Sequence, residues 1–299
     1  MATRSKRLTG VVAVALTLAL AWSFAWTVGA QAPPPRRPAR IISLVPALTE
    51  MLFDMGAGPQ VVGVSRYDTF PPPVRALPKV GGLLDPDYEA ILRLRPDLVI
   101  TYGSQAELER RLNAGGVTFY SYRHAGIAGI LQTIGELGIA TGHEPEARAS
   151  SNRLQAQLDA VRLKVRGLNR PKTLLVFGRE RGTLRQIYAS AGAGFEHDIL
   201  EIAGGASVFA AARRESVQPS IEMLLASAPE VIVELHGTGA PDAASIKSDH
   251  EVWGRLASVP AVRNGRIHIL YGEHLAIPGP RLGATAEDVA RAIHPEAFR

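Results

Sequence analysis

The chain has 299 residues, of which 46% are hydrophobic and 20% are charged, with a formal net charge of +5. This balance excludes an intrinsically disordered chain, and the length is sufficient for one large hydrophobic core or two ordinary ones. The sequence contains no cysteine, which excludes a disulfide framework, a thiolate metal site and a lipid anchor attached through cysteine.

The first thirty residues have the pattern of a secretory signal peptide. Arg4, Lys6 and Arg7 precede an uncharged stretch from residue 8 to residue 28, and small residues follow around Ala30. An uncleaved membrane anchor is the alternative, since 21 uncharged residues approach the length that spans a bilayer. We expect cleavage within residues 1–32, which leaves 30 basic and 28 acidic residues in the mature chain. That charge is nearly balanced and has no basic patch interleaved with aromatics, so nucleic acid is not a predicted partner.

From residue 40 onward, short apolar runs alternate with helical stretches, which is the order of an α/β protein. The predicted strands of the first half are 41–44, 61–64, 98–102 and 117–122. A long amphipathic helix is predicted over 145–166, because apolar residues from Leu154 to Leu168 recur at alternating spacings of four and three. A second series of strands follows at 173–177, 187–191, 231–235 and 267–271, before a closing helix at 281–293.

This order predicts two Rossmann-like lobes with mainly parallel sheets, bridged by one long backbone helix. The expected boundaries are an N-terminal α/β lobe at 33–144, a connecting helix at 145–168 and a C-terminal α/β lobe at 169–299. A single stiff helix between the lobes favours a small rocking motion over wide closure.

One phrase occurs twice in the chain, at 86–100 and again 133 residues later at 219–233. The two copies, PDYEAILRLRPDLVI and PSIEMLLASAPEVIV, are identical at four of fifteen positions. Each copy predicts a short helix that leads into a buried parallel strand, with Asp87 and Ser220 as N-caps and with Glu89 and Glu222 in the first turn. The same offset relates the first strand of each half, which indicates two lobes built on one plan.

Sequence motifs of common enzymes are absent from the chain. There is no phosphate-binding loop, no dinucleotide-binding glycine motif and no nucleophile elbow. The eight histidines form no pair at the spacings typical of zinc ligands. No catalytic residue, metal site or cofactor is therefore predicted, and a secreted α/β enzyme with an unrecognised motif is the alternative class.

A ligand is expected between the two lobes, where loops at the carboxyl ends of parallel strands converge. The candidate contact residues in these loops are aromatic, small or basic: Pro46, Tyr67, Gly82, Leu83, Tyr102, Tyr122, Arg179, Arg181 and His274. Aromatic surfaces suit a large flat ligand, whereas the arginines would suit carboxylate or phosphate groups.

Three segments together resemble the class III periplasmic substrate-binding proteins of ABC importers. They are RIISLVPALTE at 40–50, VGVSRY at 62–67 with the prolines at 71–72, and the two phrases in which a glutamate precedes Pro-Asp or Pro-Glu. The resemblance covers residue 40 to about residue 298. It implies a periplasmic, monomeric, non-catalytic receptor that binds cobalamin, a ferric siderophore or haem, so that any cobalt or iron belongs to the ligand.

The resemblance also implies a partner, the transmembrane permease dimer of the importer. In this family one exposed glutamate on each lobe docks onto arginines of the permease, and the matching positions here are Glu89 and Glu222. The simpler alternative is that each glutamate only stabilises the start of its helix.

Within the family, the order of Pro46 and Tyr67 is similar to the vitamin B12-binding branch, in which Tyr67 would line the corrin face. That branch often has tryptophans in the cleft at the positions held here by Leu83 and Ser216. A corrinoid is the first expectation for the ligand. The alternatives are a ferric siderophore bound by Arg179, Arg181 and Arg281, and haem with a tyrosine or His274 as axial ligand.

Overall fold

The computed structural model describes residues 37–238 and 241–299, so the predicted signal peptide lies outside the described residues. Within the described residues, no helix combines the length and the apolar character needed to cross a bilayer. Residues 38–299 form one structural unit that contains two separate sheets. Each sheet with its helices is called a lobe below.

The N-terminal lobe is built on a four-stranded sheet in which all strands are parallel, in the order β2-β1-β3-β4. The strands are β1 (Ile41–Ser43), β2 (Val61–Val64), β3 (Leu98–Tyr102) and β4 (Thr118–Tyr122). The helices are α1 (Pro46–Asp54), α2 (Tyr88–Arg93), α3 (Ala106–Ala114) and α4 (Ile127–Thr141). The central strands β1 and β3 are almost fully buried, as expected for parallel strands covered by helices on both faces.

The predicted connecting helix is present as α5, which runs from Glu144 to Val165. Its 22 residues span about 33 Å at the usual rise per residue. Leu154, Leu158 and Val161 are buried on one side, where α5 packs against α4 and against the last helix, α10 (Leu282–Ile293). Gly167, with a φ of 80°, follows the helix in the left-handed region that favours glycine.

The C-terminal lobe contains a six-stranded mixed sheet in the order β10-β9-β5-β6-β8, with β7 also paired to β5. Its strands are β5 (Lys172–Gly178), β6 (Tyr188–Ser190), β7 (Ala206–Ser207), β8 (Ser216–Val217), β9 (Val231–His236) and β10 (Ile267–Tyr271). Its other helices are α6 (Phe195–Ile202), α7 (Ile221–Ser227), α8 (Ala243–Trp253) and α9 (Pro260–Arg263). The strand β6 runs antiparallel to both β5 and β8, whereas β5 pairs in parallel with β7 and β9, and β9 with β10. The prediction of mainly parallel sheets is confirmed.

The repeated phrase forms the same structure in both lobes. The Asp87 carboxylate accepts a hydrogen bond from the Ala90 amide at 2.9 Å, and the Ser220 hydroxyl accepts one from the Met223 amide at 3.3 Å. These are the predicted N-caps of α2 and α7. Each helix leads into a buried strand that pairs in parallel with the first strand of its lobe, β3 with β1 and β9 with β5.

One hydrophobic cluster extends through both lobes. It includes Ile41 and Ile100 of the N-terminal sheet, Leu158 of α5, and Leu175 and Val233 of the C-terminal sheet. Two smaller clusters lie within the individual lobes. Because α5 contributes to the shared cluster, displacement of one lobe relative to the other would disturb close packing in the core.

Candidate ligand cleft

A cavity of about 410 Å³ lies between the loops of the N-terminal lobe and a short segment that follows β10 in the C-terminal lobe. Its lining is almost entirely apolar or aromatic: Leu44, Val45, Pro46, Ala47, Tyr67, Leu83, Leu84, Tyr102, Tyr122, His124, Ala276, Ile277 and Pro278. The N-terminal lobe contributes residues at the end of each of its four strands or in the loop that follows the strand. This arrangement is the convergence of loops expected at the carboxyl ends of parallel strands.

Local sequence explains how two of these loops are positioned. A Cβ atom at Gly82 would lie 2.7 Å from Cε2 of Tyr67, so only glycine permits the tyrosine ring to pack on this backbone. The Gln105 side chain accepts a hydrogen bond from the Tyr102 amide at 2.8 Å and donates one to the Leu83 carbonyl at 3.0 Å. The Tyr67 side chain is left 63% exposed, with its ring available to a ligand.

A series of aromatic rings continues from this lining into the other lobe. The ring centroids lie 5.7 Å apart for Tyr102 and Tyr122, 6.4 Å for Tyr122 and His124, and 5.2 Å for His124 and Phe195 at the start of α6. All three pairs are edge-to-face, a preferred geometry for aromatic side chains. Burial lowers the pKa of His124, which favours the neutral imidazole, and raises the pKa of Tyr122.

Two carboxylates of the C-terminal lobe lie close to these tyrosines. A Cβ atom at Gly194 would lie 3.2 Å from Cγ of Glu215 and 3.5 Å from Oε2 of Glu196, so both side chains flank this glycine. Burial raises the pKa of Glu196 to about 7, with a smaller contribution from the charge of Glu215. After burial, the Glu215 charge also contributes to the raised pKa of Tyr102 and of Tyr122.

The Tyr122 hydroxyl is a buried polar group without a partner. The side chain is 2% exposed, and its oxygen forms no hydrogen bond with any part of the chain that the structure describes. A buried hydroxyl without a hydrogen bond costs free energy, which a ligand group that bonds to it would recover. Glu196 and Glu215 are further hydrogen-bond acceptors, and both lie outside the lining of the cavity.

The structure brings together five of the residues selected from the sequence. Pro46, Tyr67, Leu83, Tyr102 and Tyr122 all line the cavity. Gly82 lies directly beneath the Tyr67 ring. Ser216 is half-buried in the short strand β8 and pairs with Ser190, so it lies next to Glu215 but outside the lining.

The expectation that Arg179 faces the ligand disagrees with the structure. Its side chain is 1% exposed, with Nε 2.8 Å from Glu234 Oε1 and Nη2 2.8 Å from Asp249 Oδ1. Arg179 does follow β5, as predicted, but it packs against the neighbouring strand β9 and helix α8. The buried carboxylates there require a cation, so Arg179 is a core residue of the C-terminal lobe.

Two further candidates also lie outside the lining of the cavity. Arg181 is exposed in the loop after β5. His274 lies in a short 3₁₀ helix, with its Nε2 2.8 Å from Asp288 Oδ2 of α10. The residues of this segment that line the cavity are Ala276, Ile277 and Pro278 instead.

Sequence reasoning did not select Ile277, Glu196 or Glu215 as cleft residues. The run Tyr122-Arg123-His124 at the end of a predicted strand does point to His124, which lies two residues after β4. Glu215 precedes Ser216, whose position is related to Leu83 by the 133-residue offset. Local sequence gave no sign that the charge of Glu215 acts on tyrosines of the other lobe, because this interaction depends on how the lobes are placed.

Four contacts tie the two lobes together. Arg281 Nε lies 2.8 Å from Glu50 Oε2, and the guanidinium carbon of Arg281 lies 4.2 Å from the centre of the Phe70 ring. The Thr69 hydroxyl donates to Glu273 at 3.1 Å, and the Ile127 amide donates to Asp198 at 2.8 Å. Arg281, a candidate for an anionic ligand, is therefore occupied by Glu50, whose pKa burial raises despite this partner.

Glu89 and Glu222 lie in the first turns of α2 and α7, and both are exposed. Glu89 is 3.9 Å from Arg93 in a solvent-exposed ion pair. A hydrogen bond from the Ser220 hydroxyl lowers the pKa of Glu222, so the carboxylate is ionised at neutral pH. Helix α2 begins a few residues after Leu83 and Leu84 of the cavity lining.

Comparison with known proteins identifies the family. The model of the periplasmic binding protein family matches residues 41–272, which is more than half of the chain. The chain belongs to this family. It is a class III periplasmic binding protein, the substrate-binding component of an ABC importer and not an enzyme.

Relatives and solved structures support this membership over most of the chain. The ABC transporter substrate-binding lipoprotein YvrC of Bacillus subtilis is 26% identical, with 88% of this chain and 82% of the relative covered. The vitamin B12-binding protein of Salmonella typhimurium is 29% identical, with 75% of this chain and 80% of the relative covered. The haem-binding protein RhuT of Roseiflexus superposes with a TM-score of 0.72 at 27% identity, with 86% of this chain and 98% of that chain covered.

Proposed function

We propose that this periplasmic binding protein captures a corrinoid between its lobes and delivers it to the permease of an ABC importer. The observation that carries this proposal is the chemistry of the cavity. Three tyrosines and His124 provide broad aromatic surface, and the lining contains no arginine or lysine among the described residues. A large flat ligand without strong negative charge fits such a surface best.

Two carboxylates of the C-terminal lobe that lie outside the lining, Glu196 and Glu215, favour a corrinoid over an anionic ligand. Corrinoids carry primary amides around the ring, and their N–H groups would donate to Glu215, Glu196 and the unpartnered Tyr122 hydroxyl. Haem propionates and the anionic groups of a ferric siderophore would instead meet like charge. The arginines expected to bind a siderophore offer it little support, since Arg179 and Arg281 already pair with buried carboxylates.

Haem is the second candidate, and one observation favours it. The exposed Tyr67 phenol and the neutral His124 imidazole both line the cavity, and either type of side chain is a known axial ligand of haem iron. A relative of known structure binds haem, as its name states.

Calorimetric titration of the mature protein with cobalamin, cobinamide, haem and ferric siderophores tests the ligand. We expect a corrinoid to bind with a Kd tighter than about 10 μM, which corresponds to about 7 kcal/mol. Calorimetry is preferred to tryptophan fluorescence as the readout. Trp253 is the one tryptophan after residue 32, and it is buried in the C-terminal lobe and hydrogen-bonded to Glu234. Corrinoid binding weaker than this, together with tight haem binding, would contradict the corrinoid proposal and identify haem as the ligand.

Two variants test the acceptor groups. Glu215→Gln should weaken corrinoid binding about 10-fold, since a charged acceptor is lost, and should strengthen haem binding by removing repulsion. Tyr122→Phe should weaken corrinoid binding without lowering stability, because its hydroxyl has no protein partner to lose. Glu251→Gln, on the exposed face of α8, is the matched control and should change neither affinity.

We also propose that Glu89 and Glu222 dock the loaded protein, as a monomer, onto the permease dimer. Equivalent acidic points on two similar lobes suit a two-fold symmetric partner that presents the same basic group twice. Reversal of both charges, Glu89→Arg with Glu222→Arg, should abolish transport and leave ligand affinity unchanged. Loss of ligand affinity would instead assign both glutamates a structural role.

Delivery to the periplasm through a cleaved signal peptide is the remaining part of the proposal. The basic residues before an uncharged stretch support a secretory signal, and the sequence has no cysteine that could carry a lipid. Mass spectrometry of the secreted protein should find an N-terminus close to residue 32. A mass that includes residues 1–32 would favour a membrane anchor.

A further inference from the structure

The repeated phrase preserves more than its glutamates. Its four identical positions are Pro86 and Pro219, Glu89 and Glu222, Leu92 and Leu225, and Pro96 and Pro229. The first proline of each copy precedes its helix and the second follows it, which explains why they are kept. The leucines neither cap the helices nor belong to a hydrophobic core cluster of the described residues.

Leu92 and Leu225 are both exposed, although leucine is among the residues most often found buried. The side chain of Leu92 is 39% exposed and that of Leu225 is 42% exposed. The preceding residue of each helix, Ile91 or Leu224, is the one that packs into the lobe and is almost fully buried. The core position thus differs between the two copies, while the exposed position is identical.

Helix geometry places each leucine next to the proposed docking glutamate. Residues three apart in a helix lie on the same face, so Leu92 neighbours Glu89 and Leu225 neighbours Glu222. Further apolar surface lies nearby, since Met223 of α7 and Leu84, just before α2, are also exposed. Single exposed apolar residues are common on protein surfaces and need no explanation. Here, however, a glutamate and an exposed leucine occur together at equivalent positions of both lobes.

We propose that Leu92 and Leu225 are apolar anchors that pack against the two permease subunits beside the glutamate contacts. This inference rests on the proposed docking function. Protein interfaces commonly combine a desolvated apolar centre with surrounding polar contacts, and exclusion of water strengthens the neighbouring ion pairs. The partner is expected to present, twice and by symmetry, an arginine or lysine next to an apolar recess.

The test measures docking of the ligand-loaded protein onto the permease–ATPase complex of the same organism, held in lipid nanodiscs, by biolayer interferometry. Leu92→Ala with Leu225→Ala should raise the Kd of docking about 10-fold or more, since each change removes apolar area that docking would bury. The matched control is Ile139→Ala with Leu163→Ala, two exposed apolar residues on α4 and α5 outside the repeated helices. This control should leave docking within about twofold of the unmodified protein.

If the alanine variants lose stability, a second measurement on the unmodified protein still tests the inference. Hydroxyl-radical footprinting of the unmodified protein should show that Leu92 and Leu225 become protected in the complex, while Ile139 and Leu163 do not. Unprotected leucines, or unchanged docking of a stably folded Leu92→Ala/Leu225→Ala variant, would overturn the inference. The double charge reversal Glu89→Arg with Glu222→Arg, in the same assay, separates this inference from the docking proposal. If the reversal abolishes docking while the leucine variant does not, the glutamates dock and the leucines are not anchors. If the reversal has no effect, the docking proposal itself is wrong.

Discussion

Ionisation of Glu196 is expected to make the free energy of unfolding depend on pH. Its pKa is raised from 4.5 to about 7, chiefly by burial, and it lies near Glu215, Asp198 and Tyr122. Because the folded state holds the proton more tightly than the unfolded state, ionisation opposes folding. The cost is absent below about pH 4.5, grows as the pH rises and is complete above about pH 7.

Glu196→Gln should therefore stabilise the protein in a pH-dependent way. At pH 8 we expect the free energy of unfolding to rise by about 1–3 kcal/mol, whereas at pH 4.5 it should change little. Urea unfolding at both pH values measures this difference. The control Glu251→Gln removes an exposed carboxylate and should have a small effect at either pH. Equal stabilisation at both pH values would mean that Glu196 titrates normally.

At the scale of elements, α5 is the main link between the lobes, and its buried side carries the shared core. Leu158 is fully buried in the cluster that includes both sheets, whereas Leu163 of the same helix is largely exposed. Both positions hold leucine in the same helix, so the same substitution changes helix propensity equally at each. A difference between the two substitutions therefore measures the contribution of packing.

Leu158→Ala should destabilise the protein by about 2–5 kcal/mol, because it leaves a cavity in a closely packed region. Leu163→Ala should change the free energy of unfolding by less than about 0.5 kcal/mol. Chemical denaturation of both variants makes the comparison. A small effect of Leu158→Ala would show that the core around α5 relaxes to fill the space.

The repeat is strong in some elements and lost in others. The segment from α2 to β3 matches the segment from α7 to β9, and the prolines, caps and apolar runs of the sequence account for this agreement. The second strand differs, since β2 is parallel to its neighbour and β6 is antiparallel. A three-residue strand such as β6 has too little sequence to indicate its direction, which is decided by the sheet edge that it meets.

For the whole molecule, the shared core and the contacts between the lobes limit how far the lobes can move. The ion pair of Glu50 with Arg281 and the hydrogen bonds Thr69–Glu273 and Ile127–Asp198 would each have to break for wide opening. Buried ion pairs cost several kcal/mol when one partner is removed. We therefore expect a small rocking motion on ligand binding.

Spin labels measure this motion cleanly, because the chain has no native cysteine to label by accident. Labels at Arg110→Cys and Lys247→Cys, exposed sites on the two lobes, should change their separation by less than about 5 Å when the ligand binds. Adding Arg281→Met removes one tie and should broaden the distance distribution of the ligand-free protein. A change well above 5 Å in the unmodified protein would contradict the stiff connection.

The sequence by itself determined the α/β order, the strands, the connecting helix and the two capped repeat helices, because periodicity, proline placement and capping act over a few residues. It also selected the tyrosines of the cleft, since residues after parallel strands converge at one edge of a sheet. Only the tertiary structure decided how the charged groups pair. Arg179 and Arg281 meet buried carboxylates from distant segments, and the charge of Glu215 contributes to the raised pKa of two tyrosines in the other lobe. Electrostatic pairing depends on distances between atoms far apart in the chain, and these distances exist only after both lobes have folded and packed on α5.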